Sequence, residues 1–161
     1  MSKPIIRIAE PEDILRLMEV EFEGFLTPWS FETLQGEILN HDRAHYVVAE
    51  FSGQVVGYAG LWVIFDEGHI TRIVVDPKFR RKGIGKSLVI ALMEIGRKRG
   101  CKSFTLEVRS SNIEARNLYG GLGFEEVGLR RGYYEIEGED AVIMWHNPPE
   151  YIIEGDFNER R

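Results

Sequence analysis

The sequence predicts an α/β (α+β) domain, a mixed central β-sheet with helices on both faces. Three observations carry that prediction. Strand-like runs and stretches of helical spacing follow one another in the order β-α-α-β-β-β-α-β-α-β-β. Ser52-Gly53 joins two strand patterns over two residues, the signal of a tight hairpin. Ile73-Val74-Val75 leads through a glycine-bearing turn into an amphipathic helix and then another strand, a pattern that only a sheet layered with helices buries.

Each element has its own signal. Residues 5–8 read as a first strand. Residues 11–25 have helical spacing, with Ile14, Leu17, Met18 and Phe22 on one side and Glu or Arg on the other. Thr27-Pro28-Trp29-Ser30 is a break, and Ser30 suits the N-cap of a second helix to about residue 39. Residues 46–51 and 55–65 form the hairpin strands, and Asp66-Glu67-Gly68 turns the chain into a strand over 69–75. The next helix carries Ile84, Leu88, Leu92 and Ile95 on one face and ends near Gly100. A strand over 104–108, a helix over 112–119, and strands over 124–129 and 141–145 complete the order. Pro148-Pro149 ends the domain, placed at residues 1–147, and residues 148–161 form a polar tail expected to be mobile or peripheral. There is no internal repeat.

Length and composition bound the function. A chain of 161 residues forms one core, burying roughly 70% of its unfolded surface. No apolar run approaches the ~20 residues of a membrane span, so no membrane partner is expected. Met-Ser-Lys-Pro lacks an apolar signal region, and the single cysteine, Cys101, excludes an internal disulfide. Together these predict a cytoplasmic location. A net charge of −6 argues against direct nucleic-acid binding.

The most informative stretch runs from Ile73 to Ser87. The β-branched run stops at Asp76-Pro77, because proline cannot donate to a ladder. A basic turn with two glycines then opens a helix, whose first N–H groups lack partners and attract negative charge. Gly83 and Gly85 let a phosphate approach the backbone, and Arg80, Arg81, Lys82 and Lys86 add positive charge. Spacing separates the known cradles. Gly85-Lys86-Ser87 resembles the end of a P-loop, but Arg80 stands where that motif needs glycine. The dinucleotide fingerprint fails at Leu88. An ordinary helix start with a solvated basic turn is the alternative to a phosphate site.

Two further positions could carry chemistry. Glu107 lies in a mostly apolar strand, where a carboxylate must face solvent, a partner or a site. Asn112, Ala115 and Tyr119 share one helix face at i, i+3 and i+7. Simple roles compete here: an N-cap for Asn112, core packing for Tyr119, a salt bridge for Glu107. Cys101 as an acyl carrier is disfavoured, because it precedes Glu107 by six strand residues, roughly 20 Å. His41, His45, His69 and His146 show no metal-ligand spacing, so no metal is expected. His69 either faces an acceptor site or is simply a strand residue.

Over residues 5–146 the chain resembles the RimI-type branch of the GNAT N-acetyltransferases, enzymes that acetylate protein N-terminal amines. The resemblance rests on Pro28-Trp29-Ser30, Ile73 to Pro77, and the Arg80-x-x-Gly83-x-Gly85 loop. It continues through Leu106-Glu107-Val108-Arg109-x-Ser111-Asn112, Leu118-Tyr119, Leu122-Gly123-Phe124 and Tyr133-Tyr134 before Glu139-Asp140. It implies a GNAT fold with acetyl-CoA as co-substrate and a protein N-terminus as acceptor. Glu107 would be the general base and Tyr119 the general acid. The backbone of Ile73, Val74 and Val75 would hold the pantetheine arm. Arg80, Arg81, Lys82, Gly83, Ile84, Gly85, Lys86 and Ser87 would hold the pyrophosphate, and Asn112 would contact the cofactor. Trp29, Tyr133 and Tyr134 would line the peptide groove, with Phe25 beside Trp29. Gly68-His69-Ile70-Thr71 and Gly138-Glu139-Asp140 look closer to archaeal N-terminal acetyltransferases of broad range, whereas the bacterial enzymes serve a ribosomal protein beginning with alanine. Acetylation of a lysine or small amine, and a non-catalytic acyl-CoA-binding module, are the alternatives; retention of both Glu107 and Tyr119 argues against the second.

Overall fold

The computed structural model describes residues 3–24, 28–40, 42–134 and 138–154. Its elements are β1 (Ile5–Ile8), α1 (Ile14–Gly24), α2 (Phe31–Leu39), β2 (Ala44–Phe51), β3 (Gln54–Ile64), β4 (Glu67–Val75), α3 (Ile84–Lys98), β5 (Ser103–Arg109), α4 (Ile113–Gly121), β6 (Glu125–Tyr134), β7 (Glu139–His146) and α5 (Glu150–Glu154). The order is the expected one, with a short helix added at the end. Ser30 caps α2 by accepting the Thr33 N–H at 3.2 Å. Ser52 and Gly53, both at positive φ, make the tight β2–β3 turn.

The strands form one seven-stranded sheet in the order β1-β2-β3-β4-β5-β7-β6. Neighbours are antiparallel except β4 and β5, which run parallel. Period-two alternation sends side chains to two cores. From β2, Val47 and Ala49 join Leu88, Val89 and Leu92 of α3 on one face. Tyr46 and Val48 join Leu17 and Val20 of α1 and Leu34 and Ile38 of α2 on the other. Helices therefore cover both faces, as the apolar stripes require.

Three local expectations change. The inward stripe of α1 is Ile14, Leu17, Val20 and Glu21, whereas Phe22 is 78% exposed. The turn after β3 is Phe65-Asp66, with Glu67 and Gly68 already in β4. Gly68 is needed because the Phe104 ring lies 2.6 Å from where its Cβ would stand. The chain past Pro149 is also packed, at least over α5. Ile152 is buried against Ile143 and Trp145, and the Tyr151 hydroxyl donates to Glu67.

Glu21 explains why a carboxylate can replace an apolar residue in the α1 stripe. It is fully buried and fully engaged. Arg72 of β4 donates to it through Nε at 2.9 Å and Nη2 at 2.5 Å, the Tyr58 hydroxyl donates from β3, and the Trp29 N–H donates at 2.7 Å. The indole of Trp29 then stacks on the Arg72 guanidinium, 4.4 Å from its centroid. One carboxylate thus ties α1, β3, β4 and the approach to α2 together. Removing one partner of such a pair leaves an uncompensated buried charge. Glu21→Ala is expected to lower stability by about 3–5 kcal/mol in urea unfolding, and a loss below about 1 kcal/mol would contradict this account of the network.

Candidate active site

The parallel contact between β4 and β5 is short. Only Glu67, Gly68 and His69 pair with Ser103, Phe104 and Thr105. Beyond them β4 stays with β3 as far as Val75, while β5 turns to β7. The β3–β4 register slips between Gly60 and Leu61, so Thr71 has no residue opposite it. Such a bulge bends a strand and increases its twist. The two strands therefore splay, and the β5-side edge of β4 from Ile70 onward has no strand partner among the described residues.

The splay opens a cleft of about 530 Å³. Its walls are His69 to Ile73 of β4, Thr105 to Arg109 of β5, Asn112, Ala115 and Tyr119 beside and along α4, and Tyr133 and Tyr134 of β6. The expected acid–base pair and the expected tyrosines thus meet in one cavity. Phe104, Leu106 and Val108 fill the α3-side core, which turns Thr105, Glu107 and Arg109 to the opposite face.

Burial raises the proton affinity of Glu107 above the ordinary carboxylate range, against the pull of Arg130 and the Tyr133 hydroxyl. Arg130 Nη1 lies 3.5 Å from Glu107 Oε1, while Oε2 has no hydrogen-bond partner among the described residues. A quarter of the Glu107 side chain is still exposed, so the carboxylate can accept a proton from a donor entering the cleft. Tyr119 is 7% exposed, and burial pushes its phenol above the ordinary tyrosine range, with Tyr134 adding to the effect. It is therefore neutral and able to donate. Asn112 caps α4 by accepting the Ala115 N–H at 3.1 Å, so the simple capping role holds alongside its place in the cleft.

At the end of β4, the buried Asp76 accepts from the Lys78 N–H at 3.0 Å and from Arg16 at 3.1 Å. That fixes the Pro77–Phe79 turn leading to the basic loop. Gly83 precedes α3 at φ 76°, a left-handed conformation that favours glycine, with open space where a Cβ would stand. A Cβ on Gly85 would touch only Leu118 and Val75, at 3.6 and 3.9 Å. Arg80, Arg81, Lys82 and Lys86 are exposed around this helix start. The Arg81–Glu114 pair at 3.6 Å is solvated and leaves the loop's charge available. Open glycines, a helix start and four exposed cations suit a pyrophosphate. Ile84 and Val74 send their side chains into the two cores, so only their backbones can serve a ligand. Ser87 is occupied with the Gly83 carbonyl at 3.0 Å.

Tyr133 and Tyr134 both reach the cleft because the β6–β7 register shifts between Arg130 and Tyr134. Gly132, at φ 61°, donates its N–H to Asp140 at 2.8 Å and absorbs the extra residues. Trp29 does not line the cleft; it stands behind Arg72, which does. Phe25 lies outside the described residues. Cys101 is buried in the α3-side core with its thiol pushed up, mainly by burial, which is the structural role. Arg72, Arg109 and Arg130 were not singled out from sequence. For Arg72 the signal was its charge within an apolar strand, together with Glu21 at i+4 from Leu17 in the α1 stripe.

Comparison with known proteins agrees with this geometry. Residues 12–124 match the Acetyltransferase (GNAT) family. The [ribosomal protein bS18]-alanine N-acetyltransferase of Escherichia coli strain K12 is 36% identical over 141 residues, 84% of this chain and 91% of the relative. The crystal structure of the ribosomal-protein-S18-alanine N-acetyltransferase from Escherichia coli superposes with a TM-score of 0.81 at 34% identity, covering 89% of this chain and 93% of that one. Ard1 from Thermoplasma volcanium superposes with a TM-score of 0.80 at 26% identity, covering 90% and 97%. The chain belongs to the GNAT acetyltransferase family, in the branch that includes the ribosomal-protein-alanine enzymes.

The burial of Tyr119 has a direct readout. In a 13C NMR titration, its ring signal, assigned with Tyr119→Phe, is expected to stay in the neutral position through about pH 10, where an ordinary tyrosine is half ionised. Titration at or below that value would contradict the placement of the phenol.

Proposed function

We propose that this chain transfers the acetyl group of acetyl-CoA to the α-amine of a protein N-terminus, by direct attack in a ternary complex in the cytoplasm. The names of its relatives point to a ribosomal-protein acceptor. The observation that carries the reading is Glu107 within the β4–β5 splay, between an unpaired strand edge and a pair of tyrosines.

Acetyl-CoA supplies an activated acyl group and a thiolate leaving group. The loop from Arg80 to Lys86 and the start of α3 would hold its pyrophosphate. The edge of β4 from Ile73 to Val75 would pair with the amides of its pantetheine arm, as a missing strand would. A terminal α-amine has a pKa of about 8 and is mostly protonated at neutral pH. Glu107 takes its proton, directly or through one water, and its raised proton affinity suits it to that task. The neutral nitrogen attacks the thioester carbonyl, and a β4 N–H near Val74 or Val75 stabilises the oxyanion that forms. As the C–S bond breaks, the thiolate takes a proton from the Tyr119 phenol, the nitrogen gives its second proton back to the phenolate directly or through water, and Glu107 returns the first to solvent.

Acceptor choice follows from the same acidity argument. A lysine ε-amine is ~2 units less acidic than an α-amine, so a carboxylate base deprotonates it far less readily. Tyr133 and Tyr134 stand where they can grip the first residues of a peptide. A short peptide with a free N-terminal Ala or Ser is therefore expected to be acetylated on its α-amine. The same peptide with a blocked N-terminus and an internal lysine is expected to be at least tenfold poorer. Mass spectrometry placing the acetyl group mainly on lysine, or finding both peptides inert while a polyamine is modified, would overturn this assignment.

A further inference from the structure

The far side of Glu107 is built by β6. In the β5–β7 ladder Glu107 faces Ile143 and Arg109 faces Ala141; in the β6–β7 ladder Gly128 faces Ile143 and Arg130 faces Ala141. Residues in register across neighbouring strands share a face, so Arg130 and Glu107 lie on the same side, separated by β7. That separation is two strand spacings, roughly 10 Å, a gap for a long side chain to bridge. Ala141 is fully buried and has nothing beyond Cβ to block the path. Arg130 takes that path, and its Nη1 ends 3.5 Å from Glu107 Oε1.

Two details separate this contact from an ordinary surface pair. Arg130 Nε and Glu107 Oε2 are both buried without a hydrogen-bond partner among the described residues. The guanidinium also lies 5.5 Å from the ring centroid of Tyr133, on the cleft wall. Among the other described cations, His69 also bears on the carboxylate electrostatically. From β4, Arg72 is bound to Glu21, and His69 Nε2 lies 3.0 Å from Glu67. From β5, Arg109 pairs with Glu139 at 3.7 Å and packs on Tyr134. The remaining titratable neighbours are phenols: Tyr133 of β6, whose hydroxyl hydrogen-bonds the carboxylate, Tyr134 of β6 and Tyr119 of α4.

We propose that Arg130 is a positioning residue for the transfer: it reaches across β7 to hold Oε1 of Glu107 and, with Oε2 turned inward, fixes the orientation of the carboxylate that takes the amine proton. The inference rests on the reading of Glu107 as the base. Burial favours the protonated form of Glu107, and Arg130 opposes that effect from outside the cleft lining.

The test is a 13C titration of glutamate side-chain carboxyls in the full chain, with the Glu107 signal assigned by its loss in Glu107→Gln. An opposite charge at this distance shifts a carboxylate by ~1–3 units. Arg130→Met is therefore expected to raise the Glu107 midpoint by about one unit or more, with the acid limb of kcat moving up alongside. Arg130→Lys is expected to recover part of the shift, and Arg130→Gln serves the same comparison should the Met variant fail to fold. An unchanged midpoint in a folded neutral variant would overturn the proposal, as would a lysine variant behaving like the neutral one. Should Glu107→Gln retain wild-type kcat, the base assignment itself fails. If Glu107→Gln is inactive but the midpoint ignores Arg130, only the present inference fails.

Discussion

The site depends on one constraint, the brevity of the parallel contact between β4 and β5. Three residue pairs hold the two halves of the sheet together, and past them the strands separate. A longer ladder would bring Ile73 and Val75 against β5 and fill the space in which Glu107 stands. Separation is tolerable because each half has its own support. β4 remains paired with β3 and is clamped to α1 through Glu21 and Arg72, while β5 is paired with β7 along its length. The unpaired β4 edge is an exposed ladder of backbone groups, usually a hazard in a sheet. Here it is recessed within a cleft and matches an extended amide-bearing ligand.

Charge burial around that cleft follows a single pattern. The two arginines that line it and the one that reaches toward it across β7 are each assigned to a carboxylate: Arg72 to Glu21, Arg109 to Glu139, and Arg130 to Glu107. The first pair is saturated with hydrogen bonds and structural. The last is loose, with an oxygen on Glu107 that has no hydrogen-bond partner among the described residues. Burial raises the proton affinity of Glu107 and Arg130 opposes that rise.

Much of this was legible in the sequence because it depends on local periodicity. The stripe Ile84, Leu88, Leu92 in α3 and the Ser52-Gly53 hairpin are short-range signals, and both stand in the fold. The Arg80-x-x-Gly83-x-Gly85 spacing likewise marks an open helix start because its effect is on the backbone itself. What escaped depends on partners far along the chain. Placing Phe22 inside and overlooking Glu21 follows from scoring apolarity without knowing that Arg72, 51 residues on, would neutralise the carboxylate. Gly68 was read as a turn residue, though the Phe104 ring is what excludes a side chain there. Trp29 was placed in the groove, whereas stacking on Arg72 draws it behind the wall. The docking of Tyr151 and Ile152 beyond a Pro-Pro break has no periodic signal over five residues.

The central claim is that Glu107 takes the amine proton while the loop and strand edge do the binding. The most direct measurement compares Glu107→Gln with the wild type by calorimetry for acetyl-CoA and by steady-state kinetics for an N-terminal peptide. The account predicts acetyl-CoA affinity within a few-fold and kcat lower by roughly 10² or more, the range for losing a general base. A folded Glu107→Gln enzyme that turns over at near wild-type rate at neutral pH would contradict it.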